Sequence, residues 1–237
     1  MISAEQIEQW KRECKTLLLS GQTIFDRRRL QKTRQDARVM VFLGDSRAKS
    51  WPVPALPAEA PPTLFLNRGV GFDMSSQVRR RLNAHVVPLQ PETVVVQVGV
   101  NDLRNILLEP ENSMATIVQC QTNIERIVNQ LHAHGIHVVL STIFPVAQVS
   151  SPEDRSFWGL PADGVAEQIA AAIASVNGPL FSLHNADVTV FDTHAVLCNE
   201  RGFLDEQYRV DGLHLNEAGY AALNHHLVDL LYQRVVI

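Results

Sequence analysis

The sequence predicts an α/β chain: a parallel sheet covered by helices on both faces, preceded by a helical extension. Three observations predict it. Apolar runs four to six residues long recur at Val39–Leu43, Thr63–Leu66, Thr93–Val98, Ile136–Leu140 and Val188–Phe191. They are too short for helices, and the first is apolar throughout, as suits a strand buried on both faces. Helical patterns lie between them, and strands alternating with helices imply βαβ units with right-handed crossovers. In such sheets ligands bind beyond the carboxyl ends of the strands.

The elements follow in order. Ser3-Ala4-Glu5-Gln6 has capping-box form, and apolar Ile7, Trp10, Cys14, Leu17 and Leu18 follow at helical spacing. A basic stretch with Arg27, Arg28, Arg29, Lys32 and Arg34 comes next and reads as a solvated face. Residues 1–36 are therefore expected to form the extension and 37–237 the main domain. After the first strand, Trp51–Pro62 holds five prolines and is expected to be a surface loop. Ser75–Leu82 is a short helix. Ile117, Ile124, Ile127, Val128 and Leu131 mark a long amphipathic one, and Val165–Val176 is an Ala-rich third. Ser150–Pro161, with Arg155, Phe157 and Trp158, reads as an irregular stretch. Asn216–Leu231 closes the chain as a helix with Asn216 a plausible N-cap.

Bulk properties narrow the function classes. A chain of 237 residues suits one well-packed domain. The formal net charge of −4 offers no electrostatic case for nucleic acid or an anionic membrane. The three cysteines (Cys14, Cys120, Cys198) are far apart and show neither metal spacing nor a disulfide framework. Reduced thiols in a cytosolic protein are the default reading. The polar start lacks the basic and apolar regions of a signal peptide, and no run approaches a membrane span. A cytoplasmic location is therefore expected. His132, His134 and His137 surround a helix end at Gly135 and suit a C-terminus better than a metal. Neither a metal nor a cofactor is expected.

Four short blocks carry chemistry. Gly44-Asp45-Ser46 follows the first strand, which places the serine hydroxyl at the strand's carboxyl end, near a helix N-terminus that favours negative charge. A serine needs a base to act as a nucleophile. His214 is the candidate base, and Asp211, three residues earlier, is placed to hold its other ring nitrogen. Asn101, in Gly99-Val100-Asn101-Asp102, follows the third strand run, and its amide can donate to a developing oxyanion. The remaining block is Asn67-Arg68-Gly69-Val70-Gly71.

With these blocks in this order, the chain resembles the SGNH hydrolase family, the GDSL esterases and lipases. The resemblance spans about residues 39–216. It implies a flavodoxin-like three-layer α/β/α sandwich with a mostly five-stranded parallel sheet. It implies Ser46 as nucleophile, His214 as base, Asp211 as its orienter, and an oxyanion hole of Asn101 and backbone amides including that of Ser46. The α/β-hydrolase elbow Gly-x-Ser-x-Gly is missed at Gly44-Asp45-Ser46-Arg47-Ala48.

Two residues depart from the family pattern. The second block usually ends in a glycine whose N–H is an oxyanion donor, and Phe72 stands at that position. Either its ring narrows the acyl pocket, or a shift makes Gly71 the donor. A positive φ there costs a phenylalanine more than a glycine. Arg47, directly after Ser46, either binds an anionic or hydroxyl group of the substrate or pairs with a nearby acid.

The expected function is a metal-independent serine esterase acting on a small-molecule ester, with a short acyl group such as acetyl on a carbohydrate or small molecule. Acyl transfer by the same residues, lysophospholipid or thioester cleavage, and a non-catalytic binding role are the alternatives.

Overall fold

Five strands build one wholly parallel sheet in the order β2-β1-β3-β4-β5. They are β1 (Arg38–Gly44), β2 (Thr63–Gly69), β3 (Thr93–Gln97), β4 (His137–Ser141) and β5 (Val188–Phe191). The structure, a computed structural model, describes residues 4–33, 37–148 and 164–232. The expected irregular stretch Ser150–Pro161 and the expected N-cap Ser3 lie outside the described residues.

The helices are α1 (Ala4–Thr33), α2 (Ser46–Lys49), α3 (Ser75–His85), α4 (Val100–Leu103), α5 (Ser113–His132), α6 (Val165–Leu180), α7 (Thr193–Leu197) and α8 (Glu217–Tyr232). The period of two along β1 divides the core. Val39, Val41 and Leu43 join residues of α3, α5 and α6 on one face, while Met40 and Phe42 join Trp51, Leu223 and Leu227 on the other. The result is the expected α/β/α sandwich. Asn216 caps α8 as expected, its Oδ1 accepting from the Gly219 N–H at 3.0 Å. Trp51–Pro62 is non-helical, as its prolines require, although Trp51 itself is buried on Phe42. No helix among the described residues is long and apolar enough to cross a membrane.

The extension α1 docks on its own core, but not through the stripe read from the sequence. Thr23, Asp26 and Leu30 are buried, whereas Cys14, Leu17, Leu18, Ile24 and Phe25 face outward. Arg27, Arg28 and Arg29 are exposed. Apolar periodicity marks a face but not which face meets the core. Here a buried ion pair between Asp26 and Arg68 of β2, at 2.6 Å, selects the other side. α1 packs on the 3-10 turn Val87–Leu89, just before β3, while Lys15 reaches Gly71 beyond the end of β2. With Lys15 on Gly71 and Asp26 on Arg68, the helix runs antiparallel to β2.

Candidate active site

Strand order places the site. β1 has β2 on one side and β3 on the other, so the chain changes direction across the sheet at β1/β3, where a crevice opens at the carboxyl ends. The blocks holding Ser46 and Asn101 leave the sheet there.

The turn after β1 is tight. A Cβ on Gly44 would lie 1.6 Å from the Gln97 carbonyl oxygen of β3, so no other residue fits. Asp45 then caps α2, its Oδ1 accepting from the Arg47 N–H at 2.8 Å. Burial pushes the Asp45 carboxyl up to about 7, against the pull of the neighbouring Arg47 charge. Ser46 is the first residue of α2. Its N–H enters no hydrogen bond among the described residues.

Asn67 and Gly69 hold α2 from the side of β2. The Asn67 amide donates to the Ala48 carbonyl at 2.8 Å, and its Oδ1 accepts from the Gly69 N–H at 2.8 Å. The α2 backbone passes so close that a Cβ on Gly69 would lie 2.1 Å from the Lys49 nitrogen. This explains the block's asparagine and first glycine as supports of the serine turn.

The loop before α8 brings in the other two residues. The Ser46 hydroxyl lies 3.1 Å from His214 Nε2, and His214 Nδ1 lies 2.8 Å from Asp211 Oδ2. Asp211 Oδ1 accepts from the N–H groups of Leu213 and His214, both at 2.7 Å, so its orientation is set by its own turn. Burial works to raise the Asp211 carboxyl, but hydrogen bonds from the His214 ring and the two N–H groups outweigh it and leave its pKa lowered. An ionised carboxylate on Nδ1 selects the tautomer that presents Nε2 as acceptor to the serine.

Asn101 lies in α4, buried beside this crevice, and donates one amide hydrogen to the Asp73 carbonyl at 3.1 Å. Its second amide hydrogen is available to a ligand. Asp102 steadies this turn by accepting from the Ser75 N–H at 2.8 Å.

Phe72 has φ = 67°, the left-handed conformation that glycine adopts freely. That turn aims its ring outward: it is 75% exposed and lies 5.7 Å from Lys15 Nζ of α1. A ring so exposed does not narrow a closed acyl pocket, and that expectation is corrected. The Gly71 and Phe72 N–H groups enter no hydrogen bond among the described residues, while the Gly71 carbonyl accepts from Lys15 at 3.0 Å.

Arg47 overturns the substrate-binding reading, while its charge is attracted to that of the nearby Asp45 without a direct contact from the guanidinium. It is fully buried, touching neither an open substrate site nor a carboxylate partner through its guanidinium. Nε donates to the Leu213 carbonyl at 3.0 Å, one terminal nitrogen to Phe144 at 3.0 Å and the other to Pro145 at 3.2 Å. The Tyr220 hydroxyl donates to the Arg47 carbonyl at 2.8 Å. Ile143, just before the gripped carbonyls, is itself pinned by Asn177 of α6 through both its N–H and its carbonyl. Nothing in Gly44-Asp45-Ser46-Arg47 announces this role, because the three acceptors are main-chain groups remote in sequence.

Comparison with known proteins agrees with this fold. The model of the GDSL-like Lipase/Acylhydrolase family matches residues 25–222. No curated protein matches the chain. Among solved structures, a Streptococcus pneumonia protein provisionally labelled a platelet activating factor is 21% identical with TM-score 0.67, covering 97% of this chain and 100% of its own. The lipase/acylhydrolase of Enterococcus faecalis is 22% identical with TM-score 0.60, covering 83% of this chain and 96% of its own. An acetylxylan esterase mutant from Geobacillus stearothermophilus is 14% identical with TM-score 0.56, covering 82% of this chain and 93% of its own. With the family model spanning most of the sequence, the chain belongs to the GDSL-like lipase/acylhydrolase family, whose members are ester-hydrolysing enzymes.

Proposed function

We propose that this enzyme is a serine esterase in which Ser46 is the nucleophile, His214 the general base and Asp211 its orienter. The observation that carries the reading is the unbroken hydrogen-bond chain Ser46–His214–Asp211. Ser46 Oγ attacks the ester carbonyl carbon as His214 Nε2 takes its proton. The carbonyl oxygen becomes an oxyanion, received by the Ser46 N–H, the Asn101 amide and the N–H of Gly71 or Phe72. The intermediate collapses, the C–O bond to the alcohol breaks, and His214 returns the proton to the leaving oxygen. Water then attacks the acyl-serine as His214 accepts its proton; the acyl–Oγ bond breaks, His214 returns the proton to Ser46 Oγ, and the carboxylic acid leaves.

A short acyl group, acetyl-like, on a carbohydrate or small molecule is the substrate we favour. Acetylxylan esterases among proteins of this fold support it. The test is hydrolysis of p-nitrophenyl acetate, butyrate and octanoate by the wild type and by Ser46→Ala. The expected result is a preference for acetate and a rate loss of several orders of magnitude in Ser46→Ala, up to roughly 10⁶-fold. Equal activity in Ser46→Ala overturns the nucleophile assignment, and a preference for octanoate overturns the substrate.

A further inference from the structure

Val70–Asp73 is a β-turn. The Asp73 N–H donates to the Val70 carbonyl at 3.1 Å, and Phe72, not Gly71, has the positive φ, at 67°. A positive φ at the third residue is the pattern of a type II turn, which ordinarily reserves that position for glycine. Rotating the Gly71–Phe72 peptide by half a turn gives type I instead, in which the third residue takes φ of about −90° and a phenylalanine is unstrained. The side chain at this position therefore favours the turn that the structure does not adopt.

Lys15 of α1 accounts for the difference. Its Nζ donates to the Gly71 carbonyl at 3.0 Å and lies over the Phe72 ring, 5.7 Å from its centre, and its charge also draws on the Asp73 carboxylate. In the type I turn that carbonyl points away from the ammonium, and the bond is lost. A hydrogen bond from a cation is about twice as strong as a neutral one, and the ring beneath the ammonium adds to it.

The Gly71 carbonyl and the Phe72 N–H belong to one trans peptide and point in opposite directions. By holding the first, Lys15 aims the second, and by polarising the peptide it strengthens that N–H as a donor. The turn is bonded to the site at both ends. The Val70 N–H donates at 2.9 Å to the carbonyl of Gly44, two residues before Ser46, and the Asp73 carbonyl accepts from the Asn101 amide at 3.1 Å. Between these bonds the Phe72 N–H enters no hydrogen bond among the described residues.

We propose that Lys15 is a positioning residue: it locks the strained turn in which the Phe72 N–H, rather than that of Gly71, is the backbone donor to the oxyanion. The donor part rests on the esterase reading above; the lock does not.

Nuclear Overhauser contacts read the lock directly. A type II turn brings a Gly71 Hα close to the Phe72 amide proton, whereas type I brings the two amide protons together. The wild type is expected to show the first contact and Lys15→Met the second. Lys15→Arg is expected to show the first again, since a guanidinium can still donate to the carbonyl. Retention of the wild-type contact in Lys15→Met overturns the lock.

Kinetics on p-nitrophenyl acetate read the donor. Loss of one oxyanion donor costs roughly 10²–10³ in kcat, so Lys15→Met is expected to lower kcat about tenfold or more with KM nearly constant, and Lys15→Arg to restore it. The same substitution in a Phe72→Gly background, compared with Phe72→Gly alone, is expected to cost less than about threefold, because glycine holds the left-handed conformation unaided. An equal loss in both backgrounds makes Lys15 a general support of α1 and overturns the proposal. So does a loss carried by KM, or a turn that flips with kcat unchanged. If Ser46→Ala retains the wild-type rate, the esterase reading and the donor assignment fall together, and the Overhauser contacts still decide the lock.

Discussion

Arg47 Nε donates to the Leu213 carbonyl at 3.0 Å, so the residue after the candidate nucleophile holds the residue before the candidate base. The two halves of the site come from opposite ends of the chain, and this buried guanidinium is a direct strut between them. Its other bonds, to Phe144 and Pro145, tie the same strut to the end of β4.

Arg47→Lys and Arg47→Met test the strut. A lysine cannot fork to three carbonyls, and methionine donates to none. Each buried acceptor left unpaired costs about 1–3 kcal/mol, so Arg47→Met is expected to lose roughly 3 kcal/mol or more in urea unfolding. Loosening the turn is expected to lower kcat at least tenfold for p-nitrophenyl acetate with KM nearly constant. A raised KM at constant kcat contradicts the positioning role.

Asp211→Asn removes the carboxylate that sets the His214 tautomer. A comparable change in a serine protease lowers kcat by roughly 10⁴, and a loss of similar order is expected here. Stability gives a second readout. The folded pKa of Asp211 is lowered, so its contribution is present above the unfolded value of about 3.9 and is lost as pH falls through the folded value. The Tm gap between wild type and variant is expected to be full near pH 6 and to close below pH 4.

Phe72 tests backbone strain against ring function. At φ = 67° a β-branched residue is worse than phenylalanine, and glycine carries no penalty. Phe72→Val is expected to lower stability by about 1–2 kcal/mol, while Phe72→Gly holds or raises it. Since the ring is exposed, the acetate-to-butyrate rate ratio is expected to stay the same in Phe72→Gly. A changed ratio returns the ring to the acyl pocket.

The Asp26–Arg68 pair binds α1 to the sheet, with side chains 7% and 0% exposed. Asp26→Ala leaves a buried guanidinium without its carboxylate, at an expected cost of about 3–5 kcal/mol in urea unfolding. Asp26→Leu combined with Arg68→Met is expected to recover most of it, since an apolar pair of similar volume needs no counter-charge. Failure of the double variant to recover would mean that the bonds of Arg68 to the Asn67 and His85 carbonyls dominate.

Much of this was legible in the residues. All five strands lie where the apolar runs predict them, because burial on both faces leaves a local signature in the sequence. Phe72 also stands out in the residues, as a phenylalanine at a glycine position where a positive φ is costly, and its φ is 67°. The face by which α1 docks was not legible. Of the apolar stripe read there, Cys14, Leu17 and Leu18 point outward, and the docking contact is an ion pair whose partner lies 42 residues away.

The sequence by itself determined the elements, their alternation and the residue types gathered at the strand ends, since each depends on neighbours a few positions apart. Only the tertiary structure decided that Ser46, His214 and Asp211 form one hydrogen-bonded line, that Arg47 is a buried strut, and that Asp26 of α1 meets Arg68 of β2. Those outcomes depend on strand order and helix docking. A main-chain carbonyl or a facing charge distant in sequence leaves no mark on the residue that meets it.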